Sequence, residues 1–71
     1  MLSDDDMGEL MQIEEEIEEI EFQWKRTQEI RESDPDLFDT ERSILSQKFF
    51  GLKRRYTELT HESYPDDIDF D

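Results

Sequence analysis

Cysteine is absent from this chain of 71 residues, which excludes disulfides, thiolate metal ligands and cysteine nucleophiles together. Glycine and proline occur only twice each, so long stretches are free of the residues that interrupt helices. No apolar run is long enough to cross a bilayer. The acidic start, MLSDDDMGEL, lacks the apolar segment of a signal peptide. These absences predict one small domain in the cytoplasm.

Basic residues are also scarce. The chain has 8 Lys and Arg against 22 Asp and Glu, a formal net charge of −14. Such a charge repels nucleic acid and anionic membranes and attracts basic surfaces. We therefore expect a basic protein partner and no direct contact with nucleic acid or membrane. Acidic chains are often disordered, but the apolar periodicity in the middle of this one predicts folding there.

A first helix is predicted over about residues 7–32. Its apolar residues recur at alternating steps of three and four, as on one stripe of an amphipathic helix: Leu10, Ile13, Ile17, Ile20 and Trp24. Asp6 is the expected N-cap and Ser3 the alternative, because short polar side chains accept hydrogen bonds from the first backbone amides. Residues 1–6 are then an acidic, flexible arm.

The connection between the helices is the segment SDPDLFD, residues 33–39. Pro35 suits the first position of a helix, so Asp34 is one candidate cap. Asp39 is the other candidate, for a helix that begins at Thr40. In the first case the Leu and Phe of this segment lie in the opening turn, and in the second they are exposed in a loop. The boundaries that we adopt follow the second case.

A second helix is predicted over about residues 40–62. It repeats the same apolar spacing with Leu45, Phe49, Leu52, Tyr56 and Leu59. Two helices of similar length with a short connection fold back on each other. The predicted fold is an all-α antiparallel two-helix hairpin, residues 7–62, followed by an acidic, flexible tail, residues 63–71.

Three large apolar residues do not fit the two stripes: Phe22, Ile44 and Phe50. A two-helix hairpin has one inner seam and cannot bury them as well. Exposed apolar surface of this kind usually marks an interface. We therefore predict a homodimer that forms a helical bundle through these three residues. The alternative is a monomer that tolerates exposed aromatics.

Residue patterns typical of catalysis are scarce. His61, the only histidine, forms a Glu-x-x-His pair with Glu58, but di-iron bundles need two such pairs. The chain has no phosphate-binding glycine loop and no nucleophile beside an identifiable base. We predict that the protein is not an enzyme and uses neither a metal nor another cofactor.

The first helix is dense in carboxylates. Between Asp4 and Glu21 there are ten of them and no basic residue. Five belong to one predicted surface, with Glu14, Glu18 and Glu21 on one helical face and Glu15 and Glu19 beside it. Carboxylates four residues apart rise about 6 Å along the axis, which suggests a comparison with the regular phosphates of a DNA strand. Like charges at this spacing weaken a helix. The pattern favours a DNA mimic, and the alternative is a solvated helix face.

The Asp36-Leu37-Phe38 triplet resembles the end of the short peptide by which partners bind the bacterial DNA sliding clamp. That peptide is similar to Gln-x-x-Asp-Leu-Phe, and Ser33 stands here at the glutamine position. The resemblance implies that Leu37 and Phe38 enter an apolar pocket of the clamp. The alternative is that the two side chains pack in the protein's own core, at a capped helix start. In size, charge and this triplet, the chain resembles the small acidic DNA-mimic inhibitors that phages encode, including a staphylococcal-phage inhibitor of the clamp. This resemblance to phage inhibitors implies a viral protein that blocks DNA replication in the host cytoplasm.

A second resemblance concerns LSQKFFGLKRRY, residues 45–56. This segment is similar to the second helix of the sporulation aspartyl-phosphate phosphatases, whose motif reads Ser-Gln-x-Leu-Asp. Ser46 and Gln47 match it, whereas Phe49 and Phe50 replace the Leu and the functional Asp. The resemblance implies a helical-hairpin regulator of phosphorelay proteins without that acid. A DNA mimic directed at another basic protein is the remaining alternative.

Overall fold

The computed structural model describes residues 2–65 and 67–70. Helix α1 spans Asp4–Thr27, a short 3₁₀ turn follows at Gln28–Ile30, and helix α2 spans Pro35–Thr60. No strand occurs within the described ranges. In those ranges, neither helix has an apolar stretch of the length needed to span a membrane.

The two helices run antiparallel. The beginning of α1 meets the end of α2, where Glu9 forms an ion pair with Arg55. The end of α1 meets the beginning of α2, where the rings of Trp24 and Phe38 lie 5.5 Å apart. The hairpin is 48 Å long and 16 Å across in each of the other directions. The predicted all-α antiparallel hairpin is confirmed.

The core follows the two predicted stripes. The buried apolar residues are Ile13, Ile17, Ile20, Trp24, Phe38, Leu45, Phe49 and Phe70. Further members of the α2 stripe pack on this core and are half-buried, namely Leu52, Tyr56 and Leu59. The stripes were therefore predicted correctly except at Leu10, which is half-buried and outside this core, whereas Phe38 and Phe70 came from segments expected to be exposed.

Helix α1 begins earlier than predicted. Ser3 is the N-cap, and its Oγ accepts a hydrogen bond of 3.2 Å from the backbone N–H of Asp6. The expectation that Asp6 is the cap was wrong, as was the flexible arm over 1–6, because Asp4–Asp6 form the acidic first turn. Their carboxylates are favourable there, beside the positive end of the helix dipole. Met1 lies outside the described residues.

Helix α2 also begins earlier than predicted. Asp34 is its N-cap, and the Asp34 Oδ1 accepts a hydrogen bond of 3.2 Å from the N–H of Leu37. Pro35 occupies the first turn, so the start that we adopted near residue 40 was wrong. The physical reason is tertiary: a helix that begins at Pro35 turns Phe38 towards Trp24, whereas a loop would leave it in solvent.

The described part of the tail packs on the hairpin instead of extending freely. Phe70 is buried, with its ring centroid 5.1 Å from that of Trp24 and 5.7 Å from that of Phe49. The Trp24 Nε1 donates a hydrogen bond of 3.1 Å to the carbonyl oxygen of Asp69. The predicted flexible tail was wrong for these residues. Asp66 and Asp71 lie outside the described residues.

Replacing Phe70 tests this packing. We expect Phe70→Ala to release the tail and to lower the free energy of unfolding by about 2 kcal/mol, the value of burying one Phe side chain. Trp24 is the only tryptophan, and its indole then becomes hydrated, so its fluorescence emission moves to longer wavelength.

Asp67→Ala is the control for this variant. It removes only the exposed ion pair of 3.1 Å between Asp67 and Lys53, and exposed pairs contribute little. We expect its emission to match that of the wild type. Unchanged emission in Phe70→Ala itself would show that the tail does not cover Trp24.

Candidate functional site

The acidic surface of α1 consists of Glu14, Glu15, Glu18, Glu19 and Glu21. The first four side chains are exposed and Glu21 is half-buried. Ile13, Ile17 and Ile20 on the opposite face of α1 are buried, which fixes the rotation of the helix and turns the acidic surface outward.

Among the described residues, these carboxylates have no basic partner. Of the ten carboxylates from Asp4 to Glu21, only Glu9 forms an ion pair within the described part of the chain. Two guanidinium nitrogens of Arg55 donate to it, one of them at 3.0 Å. The hydrogen bond from Arg55 lowers the pKa of Glu9, and this pairing raises the pKa of Arg55. The other nine carboxylates are available to a partner.

The docked tail extends the negative surface beside α1. Asp67 and Asp69 line a shallow depression together with Glu21, and Lys25 lies at its edge. Asp67 also contacts Lys53 of α2. The sequence pattern did not predict this addition, because nothing local indicated that the tail returns to α1.

The structure separates the members of the Asp36-Leu37-Phe38 triplet. Phe38 is 6 % exposed and lies in the protein's own core, whereas Leu37 is 45 % exposed. The guanidinium carbon of Arg31 lies 5.5 Å from the Phe38 ring centre and covers its outer side. The prediction that Phe38 docks on a partner was therefore wrong for this fold. Exposed Asp36 and Leu37 remain available, and their role in binding stays a prediction.

The predicted dimer residues are exposed but do not form one patch. Phe22 is 61 %, Ile44 43 % and Phe50 57 % exposed. Ile44 and Phe50 are six residues apart on α2, so their side chains point about 120° apart. Phe50 lies beside the tail, with its ring centre 6.5 Å from that of Phe70. One flat interface cannot cover both, and dimerisation through these three residues stays a prediction.

Comparison with known proteins adds no relative. No protein-family model, curated protein or solved structure matches this chain. The functional argument therefore depends on the charges and contacts of the chain itself.

The described residues include no group of three or more metal-binding side chains. The backbone of His61 ends α2 in the left-handed conformation, with φ of 61°, and the Glu58 carboxylate accepts a hydrogen bond of 3.2 Å from Arg55. At the site of the phosphatase motif, Ser46 donates to the carbonyl oxygen of Ser43.

A basic stretch on α2 lies opposite the acidic part of α1. Five of the eight basic residues fall between Arg42 and Arg55, and no acid lies among them. The Glu9–Arg55 ion pair sets this stretch alongside the carboxylates of α1. This segregation is already visible in the sequence, because no acid occurs between Arg42 and Arg55.

Proposed function

We propose that this protein inhibits DNA replication by binding the bacterial sliding clamp as a DNA mimic. In this proposal the acidic surface of α1 occupies the positively charged channel that otherwise holds DNA. The observation that carries the proposal is that, within the described part of the chain, nine of the ten carboxylates between Asp4 and Glu21 have no basic partner.

The density of charge on α1 supports mimicry. Residues 4–21 extend for about 26 Å along the helix axis, with one carboxylate for about every 2.6 Å. One strand of duplex DNA carries one phosphate for about every 3.4 Å of axis. The number of carboxylates per length of α1 is therefore comparable with the number of phosphates per length of one DNA strand.

The cost of this arrangement also supports a binding role. Glu14 and Glu18 are four residues apart, and Glu15 and Glu19 repeat the spacing, so each pair of like charges weakens the helix by about 0.2 to 0.5 kcal/mol. Basic residues at some of these positions would remove the repulsion and add attraction. Their absence is explained if the negative surface itself is what a partner recognises.

The negative charge of α1 fits any basic DNA-binding protein, and the sliding clamp is a narrower proposal. Burial of Phe38 removes one of the two apolar anchors that the peptide resemblance implied. The proposal for the clamp therefore rests on its channel, with Leu37 as an additional exposed contact. This burial favours a second candidate as well, a DNA mimic that binds another basic DNA-binding protein.

A binding assay at increasing salt tests the proposal. The protein is immobilised, and purified clamp, a bacterial nucleoid protein and a response regulator are each passed over it. Exposed charges are screened over about 8 Å at physiological ionic strength, so we expect tight binding of the clamp at low salt and a steep loss as salt rises. Binding of only the nucleoid protein would favour the second candidate, and binding of only the response regulator would contradict both.

A further inference from the structure

The tail covers only one side of the hairpin. On the other side, α1 and α2 form an open groove of about 480 Å³, with Glu16 and Ile20 on one wall and Lys48, Gly51 and Leu52 on the other. Beyond it, a second groove of about 500 Å³ continues along the same side towards Glu9 and Arg55. These two grooves form one long face, here called the groove face.

The wall that α2 contributes has the spacing of a helix–helix seam. Ile44 precedes Gly51 by seven residues, and Lys48 and Arg55 follow these two residues by four each, so all four lie on one side of α2. Ile44 is 43 % exposed, so a large part of its side chain is open to solvent beside the groove.

Gly51 has no packing role inside the hairpin. Apart from its chain neighbours and the backbone of its own helix, a Cβ added there would meet no atom of the described chain within 4 Å, although glycine destabilises a helix interior relative to alanine. A glycine in a seam permits another helix to approach closely, and the described chain supplies no such helix.

The charges of the groove face are segregated between its two walls. The α1 wall carries Glu16 and Glu19, and the α2 wall carries Lys48. The Glu9–Arg55 ion pair shows that these two residues lie at the same height along the axis of the hairpin. Because the helices are antiparallel, Glu16 and Lys48, each seven residues further into the hairpin, also lie at one level. Neither has an ion-pair partner within the described part of the chain.

We propose that a second copy of this chain binds the groove face. A two-fold axis parallel to the helices places α1 of each copy over α2 of the other without changing the level of any residue. Glu16 of one copy then meets Lys48 of the second copy, twice in the dimer. The same contact covers Ile44 and brings a helix towards Gly51.

This dimer differs from the one that the sequence predicted. It includes Ile44 but leaves Phe22 and Phe50 outside. It covers Glu19, which lines the groove, and leaves Glu14, Glu15 and Glu18 exposed for a basic target. Its failure is also distinguishable from failure of the proposed function, because the mass of the wild type and of the Glu16 and Lys48 variants is measured without any target present.

Charge reversal separates contacts between copies from contacts within one copy. We expect the wild type to sediment as a dimer at micromolar concentration and physiological ionic strength. Glu16→Lys and Lys48→Glu each create two like-charge contacts, so each should weaken dimerisation by about tenfold or more. A mixture of the two variants should form a heterodimer, because every contact then joins opposite charges.

Two controls carry the same charge changes away from the groove face. Glu29→Lys and Arg54→Glu should leave the dimer unchanged, and circular dichroism checks that all four variants remain helical. A wild type that is monomeric over the micromolar range would overturn the proposal. Dimers that both groove variants retain would overturn it as well, and so would a mixture that stays monomeric.

Discussion

Phe38→Ala is expected to lower the free energy of unfolding by about 3 kcal/mol or more, the usual cost of removing a buried Phe ring. A chain of 71 residues has roughly 4 to 11 kcal/mol of stability in total, so this variant loses a large part of it. The ring packs on Trp24 at 5.5 Å and is covered by Arg31. Its removal leaves a cavity at the closed end of the hairpin.

Leu37→Ala is the matched control, because its side chain is the exposed neighbour on the same turn. We expect a change of less than about 1 kcal/mol, as for most exposed positions. Urea unfolding followed by circular dichroism measures both variants. Equal stability of the two would contradict the placement of Phe38 in the core. Weakened target binding in a stable Leu37→Ala variant would assign Leu37 to the interface.

A second large effect concerns the acidic surface. Replacing Glu14, Glu18 and Glu21 together by glutamine should weaken binding to the target by roughly tenfold to a hundredfold, if each carboxylate contributes about 0.5 to 1 kcal/mol. The same change should raise the melting temperature slightly, because it removes repulsion between like charges on one helix. Lower affinity together with higher stability distinguishes a binding surface from a structural one.

The control has an equal change in net charge at other exposed positions. Replacing Glu29, Glu32 and Glu62 by glutamine also removes three negative charges but leaves the acidic surface intact. Calorimetric titration of the target with both triple variants compares their affinities. If the two lose affinity equally, overall charge and not the surface of α1 controls binding.

The spacing of apolar residues predicted the two helices well, because the buried face of a helix is determined by residues only three or four positions apart. Ile13, Ile17 and Ile20 form one stripe, Leu45 and Phe49 form the other, and all five are buried as expected. The antiparallel pairing followed from the short connection. Such features depend on residues that lie within two turns of each other in the sequence, and they need no knowledge of the rest of the fold.

Features that depend on distant contacts could not be predicted in the same way. Asp34 and Asp39 are both good caps, and the choice between them is decided by the contact of Phe38 with Trp24. The return of Phe70 to the same tryptophan is likewise invisible locally, because alternating acidic and apolar residues also occur in free tails. Both cases concern aromatic side chains, whose large buried area stabilises contacts that local propensity does not favour.

The sequence predicted the exposure of the acidic surface correctly, but it did not predict the environment of Phe38 in the docking triplet. Exposure of charged residues on a helix follows from the position of its apolar stripe, so the direction of Glu14 and Glu18 was fixed once Ile17 was placed in the core. The environment of Phe38 depended instead on the start of α2. A three-residue match to a peptide motif does not determine whether its aromatic residue is free.

Competition with DNA tests the central claim most directly. The clamp is prepared both free and loaded on circular duplex DNA, and labelled protein is added to each. A DNA mimic must bind the free clamp, must fail to bind the loaded clamp, and must be displaced as duplex DNA is added. Equal binding to the free and the loaded clamp, with the protein, clamp and DNA in one complex, would contradict the account.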